Sequence, residues 1–233
     1  MRFAHLYGAL FGWRVQSGPF RGLRYIDESI CSTLAPKILG TYERELVPWI
    51  EALLREPFDL VINVGAAEGY YAVGFAQRGR APVLAFEAEA AGRELIAKLA
   101  ARNGVSKRME IAGSCNPAAL NARLTTANRP FVVMDVEGYE ATLLDLATVP
   151  ALRHAVILVE LHEGAEPVAG ILEARFRASH DIIESRARPR IWSDLPWCVR
   201  LAGRAAPARF MAAMDEHRPI GMRWWLLHPH PEP

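Results

Sequence analysis

The chain from Asp59 onward alternates short apolar runs with stretches in which apolar residues recur at helical spacing. The apolar runs predict strands at 59–64, 83–86, 109–112, 131–135, 154–161 and 181–183. Helices are predicted between them at 70–78, 90–103, 117–124, 139–147 and 167–177. Apolar strands that alternate with helices are typical of an α/β fold with a doubly wound, mostly parallel sheet. Residues 222–227 are predicted to rejoin the sheet as an edge strand, which the proline-containing tail at 228–231 does not continue.

The first 58 residues have a less regular pattern. They predict a short strand at 20–26 and a helix at 29–39. Thr41 is a predicted N-cap for an amphipathic helix of about 14 residues that ends near Leu54. We therefore expect an N-terminal extension at 1–58, which packs on or caps a main domain at 59–233. An arginine- and proline-rich excursion at 186–209 precedes the last strand.

Composition restricts the classes of function. Of the 233 residues, 51% are hydrophobic and 23% are charged, and the formal net charge is +1. Such a chain builds a sizeable core but lacks the basic footprint of a nucleic-acid-binding protein. The three cysteines, Cys31, Cys115 and Cys198, lie far apart, which favours a reducing compartment over a disulfide framework. Because no stretch approaches the roughly 20 apolar residues of a membrane span, we expect a cytoplasmic protein.

A tight loop of small residues, Gly65-Ala66-Ala67-Glu68-Gly69, joins the first core strand to the next helix. Glycine lets the backbone approach a ligand closely, and N–H groups at a helix N-terminus can donate hydrogen bonds to it. Ligands of open parallel sheets bind at the carboxyl ends of the strands. Acidic residues gather at those ends: Glu68, Glu87, Asp135, Glu137 and Glu160. Their convergence indicates a binding crevice, since clustered carboxylates repel one another unless a cation or a polyol binds among them.

Glu87 follows Gly65 by 22 positions, the spacing at which a carboxylate after the second strand reaches the ribose of a bound nucleoside. A dinucleotide and S-adenosylmethionine both contain such a ribose. A dinucleotide requires a third glycine in the loop, and Glu68 would place a negative charge beside its pyrophosphate. The same carboxylate can face the ammonium group of a methionine moiety. The loop therefore favours S-adenosylmethionine.

Several of these stretches resemble the FkbM-type branch of class I S-adenosylmethionine-dependent methyltransferases. The resemblance covers about 59–163 and is carried by 61–71, 85–87, 133–140 and 159–162. Its most specific part is the Asp-x-Glu-Gly-x-Glu stretch at 135–140. The resemblance implies a Rossmann-like, seven-stranded sheet whose last strand, at 222–227, is antiparallel. It also implies methyl transfer to a hydroxyl oxygen on a small molecule or a glycan.

The resemblance further implies where the cofactor lies. The loop 65–69 would hold the methionine part, Glu87 the ribose and Gly113-Ser114 the adenine edge, while Asp135 would lie near the transferred methyl group. The cofactor-binding residues expected on this basis are Asn63, Gly65, Ala66, Ala67, Glu68, Gly69, Glu87, Ala88, Gly113, Ser114, Asp135 and Glu137.

A hydroxyl acceptor must lose its proton, which requires a base. His162 is the best candidate because its pKa lies near neutrality, with Asp135 or Glu160 as its orienting partner. Structural roles are the alternatives: a surface histidine at 162, and Asp135 and Glu137 as acceptors for helix N–H groups. A divalent metal bound by Asp135, Glu160 and His162 would also explain the acidic crevice, but the spacing is not diagnostic and we assign no metal.

Two classes of function remain. The first is an O-methyltransferase, in which the segment 215–218 is a candidate for shaping the acceptor pocket. The second is a non-catalytic binding or assembly subunit that keeps the cofactor fold. An intact Asp135 and His162 favour the enzyme. The expected partner is a hydroxyl acceptor, with no nucleic acid and no membrane span, and a homodimer is compatible with the sequence.

Overall fold

A computed structural model describes residues 2–162, 167–218 and 221–231. Within these residues seven strands form one sheet in the order β3-β2-β1-β4-β5-β7-β6. The strands are β1 (Leu60–Val64), β2 (Val83–Phe86), β3 (Met109–Ala112), β4 (Pro130–Met134), β5 (Val156–Leu161), β6 (His180–Arg186) and β7 (Arg223–Pro229). The first five pair in parallel, and β7 pairs antiparallel with β5 and β6. The predicted α/β, doubly wound and mostly parallel seven-stranded sheet is confirmed.

The strand order reverses between β1 and β4, which are neighbours although β2 and β3 lie between them along the chain. A reversal of this kind opens a crevice at the carboxyl ends of the two strands. In β1 and β4 every residue is buried. The sequences of such strands are nearly continuous apolar runs, because helices cover both faces of the sheet.

The position and the length of β7 differ from the prediction. It lies between β5 and β6 and is therefore not an edge strand. The run from Trp224 to Leu227 is buried, as expected of a strand with neighbours on both sides, whereas β6 at the edge is mostly exposed or half-buried. The strand also continues through His228 to Pro229, which pairs with His180 at its very end. Proline is tolerated there because few ladder hydrogen bonds remain to be made.

The helices between residues 70 and 176 lie close to the predicted positions, whereas the two helices after residue 196 were not predicted. In chain order the helices are α1 (Arg2–Phe11), α2 (Leu34–Leu39), α3 (Val47–Leu53), α4 (Tyr70–Arg78), α5 (Ala90–Arg102), α6 (Pro117–Leu124), α7 (Glu140–Leu143), α8 (Val168–Phe176), α9 (Trp197–Gly203) and α10 (Pro207–Ala213). Helix α7 is shorter than predicted, since Asp145 starts a turn by accepting from the N–H of Ala147 at 2.9 Å. Among the described residues, the helices are too short or too polar to traverse a lipid bilayer.

The N-terminal predictions were less accurate. Instead of a strand at 20–26, a single antiparallel bridge joins Arg14 and Arg24. Thr41 is not an N-cap; the chain turns at Glu43, whose φ is +45°, and a short 3₁₀ turn at Arg44–Leu46 then leads into α3. The predicted helix at 29–39 begins only at Leu34, because the chain before it bonds to Glu68 of the glycine loop.

Hydrophobic residues pack on both faces of the sheet. One core joins α4 and α5 to side chains of the N-terminal segment, including Phe20, Leu23 and Tyr25. The second core lies under α6, α7 and α8. Residues before position 59 therefore share a core with the sheet and reach the carboxyl ends of its strands.

Candidate active site

The loop after β1 brings neighbouring strand ends together. Gly65 has a φ of +75°, and a Cβ on this residue would overlap the main-chain carbonyl oxygen of Asp135, which follows β4. The Gly65 N–H donates to the carbonyl of Phe86, at the end of β2, at 3.0 Å. The sequence predicted that the glycine leaves room for a ligand. In the structure, the group nearest to a Cβ at this position is the carbonyl of Asp135, just after the neighbouring strand β4. Three strand ends thus converge at one crevice.

Glu87 is held in one orientation at the end of β2. Its Oε2 accepts from the N–H of Ala67 at 2.7 Å, and its Oε1 accepts from the N–H of Glu89 at 2.9 Å. Gly92 of α5 leaves room for the Glu87 side chain, which a Cβ at that position would approach to 2.7 Å. The residue is 8% exposed. Its carboxylate is therefore fixed against the glycine loop.

Two cavities meet at the crevice. The larger, which we call the outer cleft, has a volume of about 590 Å³. Its walls include Phe86, Glu87, Ser114, Val136, Tyr139 and Leu143. The smaller, which we call the inner cavity, has a volume of about 330 Å³ and lies toward the N-terminal segment. Both cavities are lined by Cys31, Gly65, Ala67, Asp135 and Glu137. A ligand could therefore extend from one into the other past Asp135.

Most of the predicted site residues line these cavities. Besides the shared Gly65, Ala67, Asp135 and Glu137, the outer cleft contains Glu87, Ala88 and Ser114. The inner cavity contains Asn63, Ala66, Glu68, Glu160 and His162. Of the predicted residues, all of which are described, Gly69 and Gly113 lie outside both walls. The N–H of Gly69 closes the turn onto the carbonyl of Ala66 at 2.7 Å, so its role here is structural.

Glu68 is engaged by the N-terminal segment. Its Oε1 accepts from the hydroxyl of Tyr25 at 2.6 Å and from that of Ser29 at 2.8 Å, and it forms an ion pair with Lys37. Burial acts to raise the pKa of Glu68, but Lys37 and the two hydroxyls outweigh it and lower the pKa below its usual value. The carboxylate expected to face a methionine ammonium thus already has a buried cation beside it.

His162 is oriented by a residue that the sequence did not assign to it. Its Nδ1 lies 2.7 Å from Oε1 of Glu140, which is fully buried and also accepts from the N–H of Gly138. The predicted orienting partners were Asp135 or Glu160. Glu140 stands in the first turn of α7, where the helix dipole by itself favours a carboxylate. The histidine ring is therefore fixed by Glu140 and presents Nε2 to the crevice.

Carboxylates surround the free edge of this ring. Nε2 of His162 lies 3.7 Å from Oδ1 of Asp135 and 3.4 Å from Oε2 of Glu137. Burial acts to lower the pKa of His162, but the hydrogen bond to Glu140 and the charges of Asp135 and Glu137 outweigh it, so the pKa is raised. Burial, with Glu43 next, raises the pKa of Asp135 to about 6. Both shifts favour the protonated forms of His162 and Asp135.

Glu160 belongs to a buried network that the sequence did not predict. Arg218 donates to Glu160 at 2.9 Å and forms an ion pair with Glu43, which also accepts from the hydroxyl of Tyr71. Burial, followed by the charge of Asp135, raises the pKa of Glu160, and Arg218 offsets only part of that rise. The raised pKa favours the protonated carboxyl, which lies against Arg218 in the wall of the inner cavity and does not orient His162.

The network continues into the excursion before β7. Oε1 of Glu216 accepts from Nε of Arg190 at 2.8 Å and from the main-chain N–H of Glu43 at 3.1 Å. Arg190 also forms an ion pair with Glu45 at 2.6 Å. Burial raises the pKa of Glu216 to about 7. The segment predicted to shape an acceptor pocket does line the inner cavity, through Glu216, His217 and Arg218.

Three side chains at the crevice are close enough together to be considered as metal ligands. Among the described residues, Asp135, Glu137 and His162 bring one oxygen or nitrogen atom each within 4.8 Å of one another. This set differs from the predicted one because Arg218 holds Glu160. The raised pKa of His162 favours a protonated ring, whose positive charge offsets part of the negative charge of the two carboxylates. We therefore interpret this group as one that binds a proton.

No protein-family model and no curated protein matches the chain. Solved structures do match its fold. A precorrin-6y C5,15-methyltransferase from Geobacter metallireducens is 10% identical, with 78% of this chain and 85% of that chain covered at a TM-score of 0.50. The O-methyltransferase TomG from Streptomyces achromogenes, involved in tomaymycin synthesis and solved in complex with S-adenosylmethionine, is 13% identical over 81% of this chain and 80% of that one, at a TM-score of 0.49. At this level of identity the likeness is one of fold, and the chain has the Rossmann-like α/β fold of the Geobacter methyltransferase.

Proposed function

We propose that this protein is an S-adenosylmethionine-dependent methyltransferase that methylates a hydroxyl group on a small molecule or a glycan. The observation that carries the proposal is the meeting of the two cavities at Asp135. The outer cleft offers apolar walls at Phe86, Val136 and Leu143 for an adenine ring, with Glu87 beside it for a ribose. The inner cavity offers a polar chamber with a candidate base. A nucleoside and an acceptor would thus approach each other at one point.

The residues present fit this cofactor. Oδ1 of Asn63 is buried and lacks a hydrogen-bond partner among the described residues, in a side chain that lines the inner cavity. A buried acceptor without a donor is costly, and the ammonium group of a methionine moiety would satisfy it. Each oxygen of Glu87 makes one hydrogen bond and keeps a second lone pair for a ribose hydroxyl.

The protein supplies proton transfer and positioning. S-adenosylmethionine, when bound, supplies a methyl group on a positively charged sulfur, which leaves as a thioether when the new O–C bond forms. Neutral His162 accepts the hydroxyl proton at Nε2, and Glu140 holds Nδ1 and stabilises the resulting charged ring. The rigid strand ends around Gly65 and Asp135 hold the reactants in line, which contributes much of the rate enhancement in a displacement of this kind.

Calorimetric titration with S-adenosylhomocysteine tests the cofactor. We expect micromolar binding, roughly −8 kcal/mol. In Glu87→Gln one carboxylate oxygen becomes an amide donor, so we expect binding to weaken by about 1–3 kcal/mol, or roughly 5- to 150-fold. The matched control is Glu94→Gln on the exposed face of α5, which should bind as the native protein does. An absence of binding by the folded native protein would contradict the proposal.

A non-catalytic subunit is the competing function. The ion pairs that Arg218 and Lys37 form inside the inner cavity favour it, because they give these side chains a purely structural role. The two functions differ in turnover. A methyltransferase should transfer labelled methyl groups to at least one member of a hydroxyl-acceptor panel and lose that activity in His162→Gln. A subunit should bind the cofactor and transfer no methyl group.

A further inference from the structure

The inner cavity restricts the chemistry of its second occupant. Resting on the proposed function, we infer that the acceptor is an uncharged or cationic polyol that offers at least two hydrogen-bond donors. One donor is the methylated hydroxyl at Asp135 and His162, and the other binds Glu216. Molecules that carry a phosphate or a carboxylate are excluded. Glu216 is then a specificity-determining residue that the resemblance to known methyltransferases does not assign.

Unsatisfied acceptors in the cavity wall support this inference. Within the described residues, Asn63 Oδ1, Asp135 Oδ1 and Glu216 Oε2 are buried atoms without hydrogen-bond partners, and all three side chains line the inner cavity. Asn63 is 2% exposed and the side chain of Glu216 is 6% exposed, so bulk water does not solvate them freely. All three atoms are oxygens; the amide oxygen of Asn63 only accepts hydrogen bonds, and so do Asp135 and Glu216 in their ionised forms. If Asn63 binds the cofactor's ammonium, two acceptor atoms remain for the second occupant.

Glu216 is fixed so that only one of its oxygens is available. Arg190 and the N–H of Glu43 occupy Oε1. Oε2 lies 3.5 Å from Nε of Arg218, within ion-pair range but without a hydrogen bond. The carboxylate therefore cannot rotate away without breaking the contacts of Oε1. It presents a preset acceptor to the cavity, which is how a polar group fixes the orientation of a ligand in a pocket.

The charges of the cavity wall exclude anions. Of the described residues that line it, the two long cationic side chains are already paired: Lys37 with Glu68, and Arg218 with Glu160 and Glu43. Asp135 and Glu137 lie beside His162, at 3.7 and 3.4 Å from its Nε2. An anionic acceptor would lose its hydration in a wall where carboxyl groups outnumber the cationic side chains. A neutral or cationic acceptor avoids that cost.

Three sugars with the same ring and different charge test the inference. We would saturate the native protein with S-adenosylhomocysteine, confirmed by calorimetry, and measure binding of methyl glucoside, glucosamine and glucuronate by ligand-observed NMR. We expect methyl glucoside and glucosamine to bind, and glucuronate to bind at least about tenfold more weakly. Glucuronate binding as tightly as methyl glucoside would overturn the inference. So would failure of all three sugars to bind to protein that holds the cofactor product.

The Glu216→Gln variant tests whether Glu216 causes the preference for methyl glucoside and glucosamine over glucuronate. The amide keeps the shape of the side chain but removes its charge and half of its acceptor capacity. We therefore expect methyl glucoside and glucosamine to bind about 5- to 10-fold more weakly, and the difference in affinity between these sugars and glucuronate to become smaller. Binding of S-adenosylhomocysteine should change less than sugar binding, because its nucleoside lies in the outer cleft, whose wall does not include Glu216. Glu94→Gln is the surface control. An unchanged sugar preference in folded Glu216→Gln would refute the role of this residue. Loss of S-adenosylhomocysteine binding by the native protein would instead count against the proposed function.

Discussion

His162 has three carboxylates around its ring, and each favours the protonated form. Glu140 contributes through a hydrogen bond to Nδ1, whereas Asp135 and Glu137 act on the Nε2 side. A base whose pKa is raised is neutral only at higher pH. The proposed methyl transfer should therefore increase as pH rises through the pKa of His162.

Glu140→Gln should move this pH dependence to lower pH. The substitution weakens the hydrogen bond that contributes most to the rise of the His162 pKa and also removes the charge of Glu140, so the neutral ring forms at lower pH. The maximal rate should also fall, because an amide stabilises the charged ring less well. The measurement is kcat/KM for methyl transfer between pH 5 and 9, with Glu173→Gln on the exposed face of α8 as the control. A midpoint that stays in place would show that Glu140 does not tune the histidine.

Replacing Gly65 combines two effects, backbone strain at a positive φ and steric overlap of the new Cβ, which a control glycine can separate. Gly65→Ala introduces a left-handed alanine and also a clash with the carbonyl of Asp135. Gly104 is the matched control, since its φ of +69° is similar and a Cβ there would meet no atom within 4 Å. We expect urea denaturation to show a loss of about 1–2 kcal/mol for Gly104→Ala and of about 3 kcal/mol or more for Gly65→Ala. Equal losses would mean that the strand ends tolerate displacement.

Among the residues of the site, those at strand ends were predictable and those that hold them were not. Asp135, His162 and Glu87 follow apolar runs, so their position along the chain fixes their position on the sheet. The contacts of Glu43, Glu140 and Arg218 were not recognised because their partners are distant in the sequence. Arg218 is 175 positions from Glu43, and no periodic pattern records such a pair.

At the scale of elements, the N-terminal segment is anchored by one buried ion pair. Lys37 of α2 and Glu68 of the glycine loop are almost completely buried, and Tyr25 and Ser29 share the same carboxylate. Breaking such a pair from one side leaves an uncompensated charge in the interior. The pair therefore couples the glycine loop to the segment that covers it.

Lys37→Met should destabilise the protein by about 3–5 kcal/mol, because Glu68 would remain buried without its cation. In the double variant Lys37→Met with Glu68→Gln, a neutral amide can still accept from Tyr25 and Ser29, so at least half of the loss should be recovered. Urea denaturation followed by circular dichroism measures both. A double variant no more stable than Lys37→Met would show that packing at position 37, and not charge, is what matters.

An element could be predicted where its own apolar pattern determines its structure, and not where contacts with remote residues do. Strands β1 to β5 and helices α4 to α6 follow from apolar periodicity, since each buries its own face against the sheet. The N-terminal segment instead takes its shape from remote groups: the N–H of Arg24 donates to Asn103, and the side chain of Asn103 returns a hydrogen bond to the carbonyl of Arg24. Local propensity gave a strand there because it contains no information about Asn103.

At the scale of the whole molecule, we expect cooperative unfolding. Residues such as Phe20 and Tyr25 belong to the same core as Val73 and Ile96 of α4 and α5. Because the described residues before position 59 are buried in a core that they share with the sheet, urea should unfold both parts together, and tryptophan fluorescence and far-ultraviolet circular dichroism should give coincident curves. Two separate transitions would show instead that the segment before position 59 is an independent unit.

The place of β7 has a consequence for how the protein is made. It is inserted between β5 and β6, although both precede it along the chain. A nascent chain that has emerged from the ribosome only as far as β6 therefore has two unpaired strand edges, which are templates for aggregation. Strand β7 can pair with β5 and β6 only after Trp224 and Trp225 have been translated. Completion of this fold is thus a late event in biosynthesis, and the interval before it is when the chain most needs the protection of a chaperone.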